Sequence, residues 1–322
     1  MPLKRHILVT GGCGFIGTPL VKKLVALGNK VRVMDLVKPK QAIAKVAYVQ
    51  ADVLDPRALA ENLPDTELVF HLAAKPSVDF CESQPLESYR NNFLATVAVL
   101  EGLLAHIQST KQVARIVFAS SAAVFGNAGK PGQALREQEA LAPLSHYGLQ
   151  KHACEKTIRA FTEREPHLES AILRFFNVYG PGCDATSPYS SVIPNFLTKI
   201  ANNRPIQIQG DGSHTRDFIH LDDVVRALIC AGECASGDAQ GTIYNIGTGL
   251  ACSIKELANL LMKISGKTGR VEHVAPRVGD VPHSVANISN AELKLHWKPS
   301  ITLEAGLATM AELTSLPTKK AA

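Results

Sequence analysis

The chain has 322 residues, 46% of them hydrophobic and 6% aromatic, with 34 Lys and Arg against 29 Asp and Glu, a net charge of +5. That is enough for a large buried core, as one big domain or two unequal ones. The positive excess forms no long basic run, which argues against a nucleic-acid surface while permitting local positive charge for a phosphate ligand.

The cysteines at 13, 81, 154, 183, 230, 234 and 252 show neither paired C-x-x-C spacing nor a framework density. They read as reduced thiols of a cytoplasmic protein, with Cys230 and Cys234, one helical turn apart, as packing and no metal site expected. No stretch approaches 18 apolar residues, so no membrane span is expected. The apolar run Ile7-Leu8-Val9 stops at Thr10-Gly11-Gly12, too short for a signal segment, and only the tail 317–322 reads as disordered.

In chain order, His6 to Thr10 predicts a strand ending in Gly11-Gly12-Cys13-Gly14-Phe15-Ile16-Gly17, followed by the helical pattern Leu20, Val21, Leu24, Val25, Leu27, closed by Gly28. Strand, glycine turn and helix in that order are the setting of a dinucleotide fingerprint. Gly11 allows the tight turn, Gly14 lets backbone N–H groups approach a pyrophosphate, and Gly17 lets helix and strand pack closely. Phe15 and Ile16, at the positive end of the helix, complete the expected cofactor turn. The next strand, Lys30 to Met34, ends in Asp35, where an acid accepts from ribose hydroxyls and repels a 2′-phosphate, so NAD is expected over NADP despite nearby Lys38. Asp52-Val53 is a plausible adenine contact, and Ala73-Ala74 keeps the end of the strand 68–72 small where a cofactor would pass.

Helical periodicity covers roughly 86–107, and the strand 115–119 runs into Ser120-Ser121-Ala122-Ala123, small hydroxyls where open α/β sheets bind ligands. In Ser145-His146-Tyr147-Gly148-Leu149-Gln150-Lys151, Tyr147 and Lys151 are four apart and share one helix face, where a neighbouring ammonium favours the phenolate. A strand at 170–175 follows. Strand–helix alternation over about 180 residues predicts an α/β, doubly wound parallel-sheet Rossmann domain. The rhythm breaks after Pro181. The reading assigns 1–180 to the NAD-binding domain, with the chain returning to it around 217–246, and 181–322 mainly to a smaller C-terminal α/β substrate domain. Within that half, Asp222 or Asp223 reads as the cap of a helix.

These stretches together resemble the extended short-chain dehydrogenase/reductase family, and within it the UDP-hexose 4-epimerases, from about Ile7 to Leu307. The resemblance implies bound NAD, with Ser121, Tyr147 and Lys151 as the catalytic set and Asn92, in Asn91-Asn92-Phe93, as the cofactor-domain asparagine. The family's glycine after that motif is replaced by Ala95. Arg216 and Arg277 match diphosphate-binding arginines, Asn177 and Val192 match positions lining the nucleotide-sugar, and Asp280 matches a loop or uridine-ribose position. Dehydratases of the family carry Asp-Glu after the serine and decarboxylases a Glu; Ala122-Ala123 can move no proton, which leaves oxidation and re-reduction at C4. Ser284 aligns with the pocket gatekeeper, where a bulky Tyr restricts relatives to UDP-glucose and UDP-galactose and small residues accompany N-acetylated sugars. The expected reaction is therefore interconversion of UDP-GlcNAc and UDP-GalNAc, with plain hexose or uronic acid forms as further candidates. A homodimer through the Tyr147 helix and the helix before Ile107 is also implied. Two rivals remain: a sugar-nucleotide reductase or dehydrogenase that releases NAD(P), and a non-catalytic binding member. Such non-catalytic members tend to lose the Tyr, the Lys or the glycine turn, all present here.

Overall fold

Short apolar runs without polar alternation become strands covered on both faces, as parallel sheets require. The computed structural model describes residues 5–183, 192–267, 269–276 and 281–315. Its strands are β1 (His6–Thr10), β2 (Lys30–Asp35), β3 (Val46–Gln50), β4 (Leu68–His71), β5 (Ala114–Ser121) and β6 (Leu168–Phe175), then the short β7 (Asn177–Tyr179), β8 (Ile206–Gln209), β9 (Thr215–Arg216) and β10 (Phe218–His220). The chain continues through β11 (Gln240–Ile246), β12 (Cys252–Ser253), β13 (Val271–Val274) and β14 (His283–Ser284). The central sheet runs β3-β2-β1-β4-β5-β6-β11, every pair parallel. All residues of β4 and of β6 are buried. Strand order reverses between β1 and β4, and the crevice beyond the strand C-termini there is where such sheets take ligands.

The helices are α1 (Gly17–Ala26), α2 (Pro56–Asn62), α3 (Val78–Ser83), α4 (Pro85–Tyr89), α5 (Ala95–Thr110), α6 (His146–Arg164), α7 (Val192–Ala201), α8 (Leu221–Glu233), α9 (Ile254–Ser265), α10 (Ser289–Lys294) and α11 (Leu303–Ser315). Leu20, Val21 and Leu24 of α1 and Val224 and Leu228 of α8 pack on one sheet face. Leu59 of α2, Val99 and Leu103 of α5 and Ile158 of α6 pack on the other. A smaller core joins α7, α9 and α11 to β8 through Phe196, Leu197, Ile208, Leu257, Leu261 and Leu307. There the helix ends follow local chemistry: Ser253 and Glu256 form a reciprocal capping box at the start of α9, and Gly266, with φ +63°, closes it.

Three expectations change. The helix expected over 86–107 is divided: α4 and α5 flank a π-helical turn at Arg90–Leu94. That widened turn holds Asn92 inward, where its amide bonds to the Lys75 backbone and to Gln150. Helix α8 is capped by His220, whose side chain accepts from the Asp222 N–H, and not by Asp222 or Asp223. The Asp223 carboxylate instead ties down the C-terminal segment, accepting from the Ser300 and Ile301 backbones, the Ser300 hydroxyl and Arg226. Finally, although no unbroken apolar run reaches 18 residues, Pro85–Thr110 is long and apolar enough to cross a membrane by length and composition. Here its Val99, Leu100, Leu103 and Ile107 pack against the sheet.

Candidate active site

The glycine turn owes its shape to close backbone approach. Gly11 has φ +72°, and a Cβ there would lie 2.6 Å from the Ala73 nitrogen. A Cβ on Gly17 would overlap the Gly11 carbonyl oxygen. Helix α1 begins at Gly17 after Ile16 with no side-chain cap; the Thr18 N–H is taken by the Gly14 carbonyl at 3.0 Å and Pro19 has none, so what the turn offers an anion is chiefly the positive end of the helix. Gly14 is exposed beside half-buried Phe15 and Ile16. Asp35 closes the turn by accepting from the Cys13 N–H at 2.9 Å and the Val37 N–H at 3.1 Å. Each oxygen retains a lone pair for a ribose hydroxyl. Burial and the Asp35 carboxylate push the Cys13 thiol up to about 11. Asp52 accepts from Leu54 N–H at 3.0 Å beside buried Val53. Ala73 follows β4, its N–H on the Thr10 hydroxyl at 3.4 Å, and Ala74 follows it.

On the other side of the crevice, Ser145 caps α6 by accepting from the Gly148 N–H at 3.1 Å. Gly148 lets this first turn press on the segment after β5: a Cβ would sit 2.6 Å from the Ala123 carbonyl oxygen. The approach brings Tyr147 within reach of the Ser121 hydroxyl, which also accepts from the Ala123 N–H at 3.2 Å. Lys151 is buried, its Nζ donating to the Ala119 carbonyl at 2.8 Å, 4.7 Å from the Phe118 ring centroid and 5.9 Å from that of Tyr147. Ser121, Tyr147 and Lys151 thus form one cluster at the C-terminal end of β5.

The electrostatics differ from the expected lysine-driven acidification. Burial pushes the Tyr147 phenol above the usual tyrosine range; the Ser121 hydrogen bond opposes this, and Cys81 and Cys154 reinforce it. Burial likewise lowers Lys151. In the protein alone, burial is thus the largest influence on Tyr147 and favours its neutral phenol.

Asn92 lies beneath this cluster. Its Oδ1 accepts from the Lys75 N–H at 2.6 Å, and its Nδ2 donates to the Lys75 carbonyl at 3.1 Å and to Gln150 Oε1 at 2.6 Å. With its amide engaged at both ends, it acts on the crevice through the Lys75 loop and through the residue before Lys151. On the substrate side, Ser284 of β14 pairs with Arg216 of β9 in parallel register, which places the expected gatekeeper beside an expected phosphate ligand. Asn177 starts β7 with its side chain exposed, and Val192 starts α7, half-buried. Arg277 and Asp280 lie outside the described residues.

Several residues important to the geometry escaped the motif reading. Asp217, fully buried, accepts from Thr248 N–H (2.7 Å), Thr248 hydroxyl (2.6 Å), Gly249 N–H (2.9 Å) and Ala286 N–H (3.1 Å), stitching the β9–β10 link to the segment after β14. His71, also buried, bridges the Thr10 hydroxyl (2.7 Å) at the glycine turn and the Thr96 hydroxyl (3.0 Å) of α5. Glu155 and Arg174 form a buried ion pair under α6. Glu155 carries a readable signal, four residues beyond Lys151; His71 carries none.

A glycine turn feeding an uncapped helix, an acid closing that turn, and a Ser–Tyr–Lys cluster across the crevice define a nicotinamide-dinucleotide enzyme of the short-chain dehydrogenase type. Residues 7–247 match the family model described as the NAD dependent epimerase/dehydratase family. A putative UDP-glucose 4-epimerase of Methanocaldococcus jannaschii is 35% identical over 94% of this chain and 95% of its own length. The structure of a Thermotoga maritima UDP-glucose 4-epimerase with UDP-glucose superposes with a TM-score of 0.88 at 31% identity, covering 95% of this chain and 97% of that one. A Methanobrevibacter ruminantium UDP-N-acetylglucosamine 4-epimerase, in complex with UDP-N-acetylmuramic acid, gives 0.86 at 31% identity, covering 96% and 97%. The chain belongs to the NAD dependent epimerase/dehydratase family, and its cofactor is NAD.

Proposed function

We propose that this NAD-dependent UDP-sugar 4-epimerase acts preferentially on the UDP-GlcNAc/UDP-GalNAc pair. The observation that carries the reading is the small Ser284 set beside Arg216. A hydroxymethyl group there leaves volume that a phenol would fill, and an acetamido group needs such volume as the sugar turns. Glu and Asp are missing after Ser121, where Ala122-Ala123 can neither donate nor accept a side-chain proton, which favours chemistry confined to C4.

Gly11, Gly14, Phe15, Ile16, Gly17, Asp35, Asp52, Val53, Ala73 and Ala74 would hold NAD, together with Tyr147, Lys151 at the nicotinamide ribose, and Asn92 through the Lys75 loop. When bound, NAD would supply reversible hydride acceptance at the sugar C4, with no net redox change over the cycle, and in its oxidised form a positive charge. Tyr147 takes the proton of the C4 hydroxyl and later gives it back. Ser121 shares that sugar oxygen and steadies the transient 4-keto sugar. Lys151 supplies positive charge beneath the phenol. Arg216 and Arg277 would pair with diphosphate oxygens, since a guanidinium fork matches phosphate geometry. Asn177, Val192 and Asp280 would complete the nucleotide-sugar wall. On this reading 1–180 together with 217–246 serves NAD and the remainder mainly the UDP-sugar.

Comparing kcat/KM for UDP-GlcNAc and UDP-glucose, without added NAD, tests the proposal. Preference for the N-acetylated sugar is expected. A strong glucose preference would defeat the Ser284 argument and favour the second reading, UDP-glucose/UDP-galactose epimerisation, which the names of the relatives favour. Strict dependence on exchanging NAD(P)H would favour a reductase. We also propose a homodimer through α5 and α6, supported by the exposed Leu94 just before α5 and Leu149 in α6, and a cytoplasmic setting, supported by cysteines that form no disulfide among the described residues.

A further inference from the structure

Tyr147, Lys151 and Glu155 follow each other at intervals of four on α6, so one helix face carries the phenol, the ammonium and a carboxylate in sequence. Glu155 is 2% exposed and its oxygens are occupied: Arg174 of β6 donates to both, at 2.9 and 2.7 Å, and the Ser120 hydroxyl of β5 donates to Oε1 at 2.5 Å. Ser120 precedes Ser121 and is the register partner of Arg174. Arg174 also donates to the Glu137 carbonyl at 2.9 Å, so a loop anchors the pair as well.

We propose that Glu155 is a positioning residue of this site: clamped by Arg174 and Ser120, its carboxylate fixes α6 on β5 where Ser121 meets Tyr147, and it stands as the fixed counter-charge to Lys151 one helical turn away. The inference rests on the epimerase reading for its catalytic consequence only. The groups facing Lys151 are Tyr147, Cys154 and Glu155 on its own helix, Cys81 of α3 and His71 of β4. Those facing Glu155 are Arg174, Ser120, Lys151 and, toward the surface, His152, which Lys156 also faces. Burial lowers the ammonium, while Cys154, Glu155 and Cys81 oppose that. At neutral pH the two buried thiols are uncharged, since burial raises both. Glu155 is then the carboxylate left to hold Lys151 cationic.

Removing Glu155 alone strands a buried guanidinium, which is strongly destabilising, whereas replacing both partners by neutral residues is often tolerated. The test therefore uses the double variant Glu155→Gln/Arg174→Gln beside the wild type. In NAD-free protein carrying 13C-labelled lysine, the Lys151 titration read by NMR is expected to move down by about one pH unit or more. In the holoenzyme kcat is expected to fall about tenfold or more, with KM for the UDP-sugar within about twofold, and the alkaline limb of kcat to move the same way. A folded double variant with wild-type titration and wild-type kcat overturns the proposal, because a structural pair would be replaceable. If the double variant does not fold, Ser120→Ala, which leaves the ion pair, is expected to shift both readings in the same direction by less; unchanged readings there overturn it. A wild type that titrates as expected yet epimerises no UDP-sugar would sink the epimerase reading and leave the electrostatic assignment standing.

Discussion

The two walls of the crevice are built on different principles. The chemical side stands on α6, a 19-residue helix capped by Ser145, pressed against Ala123 through Gly148 and pinned by a bidentate buried ion pair. The proposed substrate side stands on β9 and β14, two strands of two residues each, held by the pairing of β9 with β12 and β14, by the Thr215–His283 side-chain bond and by the carboxylate of Asp217. Proton transfer demands tenths of an ångström, and a long helix with several independent anchors supplies that. Recognition of a sugar that must turn over within its pocket tolerates, and benefits from, a wall whose side chains are set by short local segments. The difference predicts that damage to the first wall reads out in kcat, and change in the second in which sugar is used.

The sharpest way to break that distinction is Tyr147→Phe, which removes the proposed proton carrier and little volume. Turnover is expected to fall by about 10²- to 10⁴-fold while NAD remains bound, checked by steady-state assay and by the dinucleotide released on denaturation. Gly148→Ala comes next. Its methyl group must displace the Ala123 carbonyl or α6 itself, separating Tyr147 from Ser121, and kcat is expected to drop about 10²-fold with KM for the UDP-sugar little changed. Ser284→Tyr sharpens the other side: kcat/KM for UDP-GlcNAc is expected to fall about tenfold or more relative to UDP-glucose, with kcat for glucose retained.

Smaller effects test the supports. His71 is buried and neutral, and burial, with the Lys151 charge second, holds its imidazole down at about 3 against an ordinary 6.5. A histidine depressed in the folded state contributes stability that is fully present above the ordinary value and is lost as pH falls toward the folded one. Urea denaturation should therefore show stability falling by up to about 1.4 kcal/mol per pH unit below about 6.5 from this residue alone. His71→Gln, which cannot titrate there, should flatten that slope. The smallest expected change is Ser145→Ala, about 1 kcal/mol in thermal denaturation from the lost cap.

Local chemistry made much of this legible from sequence. Gly11 and Gly17 announce a turn because only glycine fits where backbone meets backbone, and Asp35 follows at the end of the next buried run. Tyr147 and Lys151 share a face because the helix period requires it. Where several elements converge, the reading failed. The π-helical turn at Arg90–Leu94 leaves no mark on apolar periodicity, since it arises from Asn92 reaching the Lys75 loop and Gln150. Asp222 and Asp223 look like caps in a one-dimensional reading, yet His220 fills that position because Asp223 is drawn away to Ser300 and Ile301. The expected acidification of Tyr147 by Lys151 was a pairwise inference, whereas burial, which depends on every neighbour, is the largest influence on the phenol in the protein alone and raises it.

By itself, then, the sequence determined the order of strands and helices, the glycine turn, the acid beside it and the spacing of the Tyr–Lys pair, because each follows from contacts within a few residues. Only the tertiary structure decided that Glu155 would be closed between Arg174 and Ser120, that Asp217 would hold the substrate strands, and that Ser284 would lie against Arg216. Those outcomes depend on desolvation and on which distant segments meet, and both exist only once the sheet has closed over its helices.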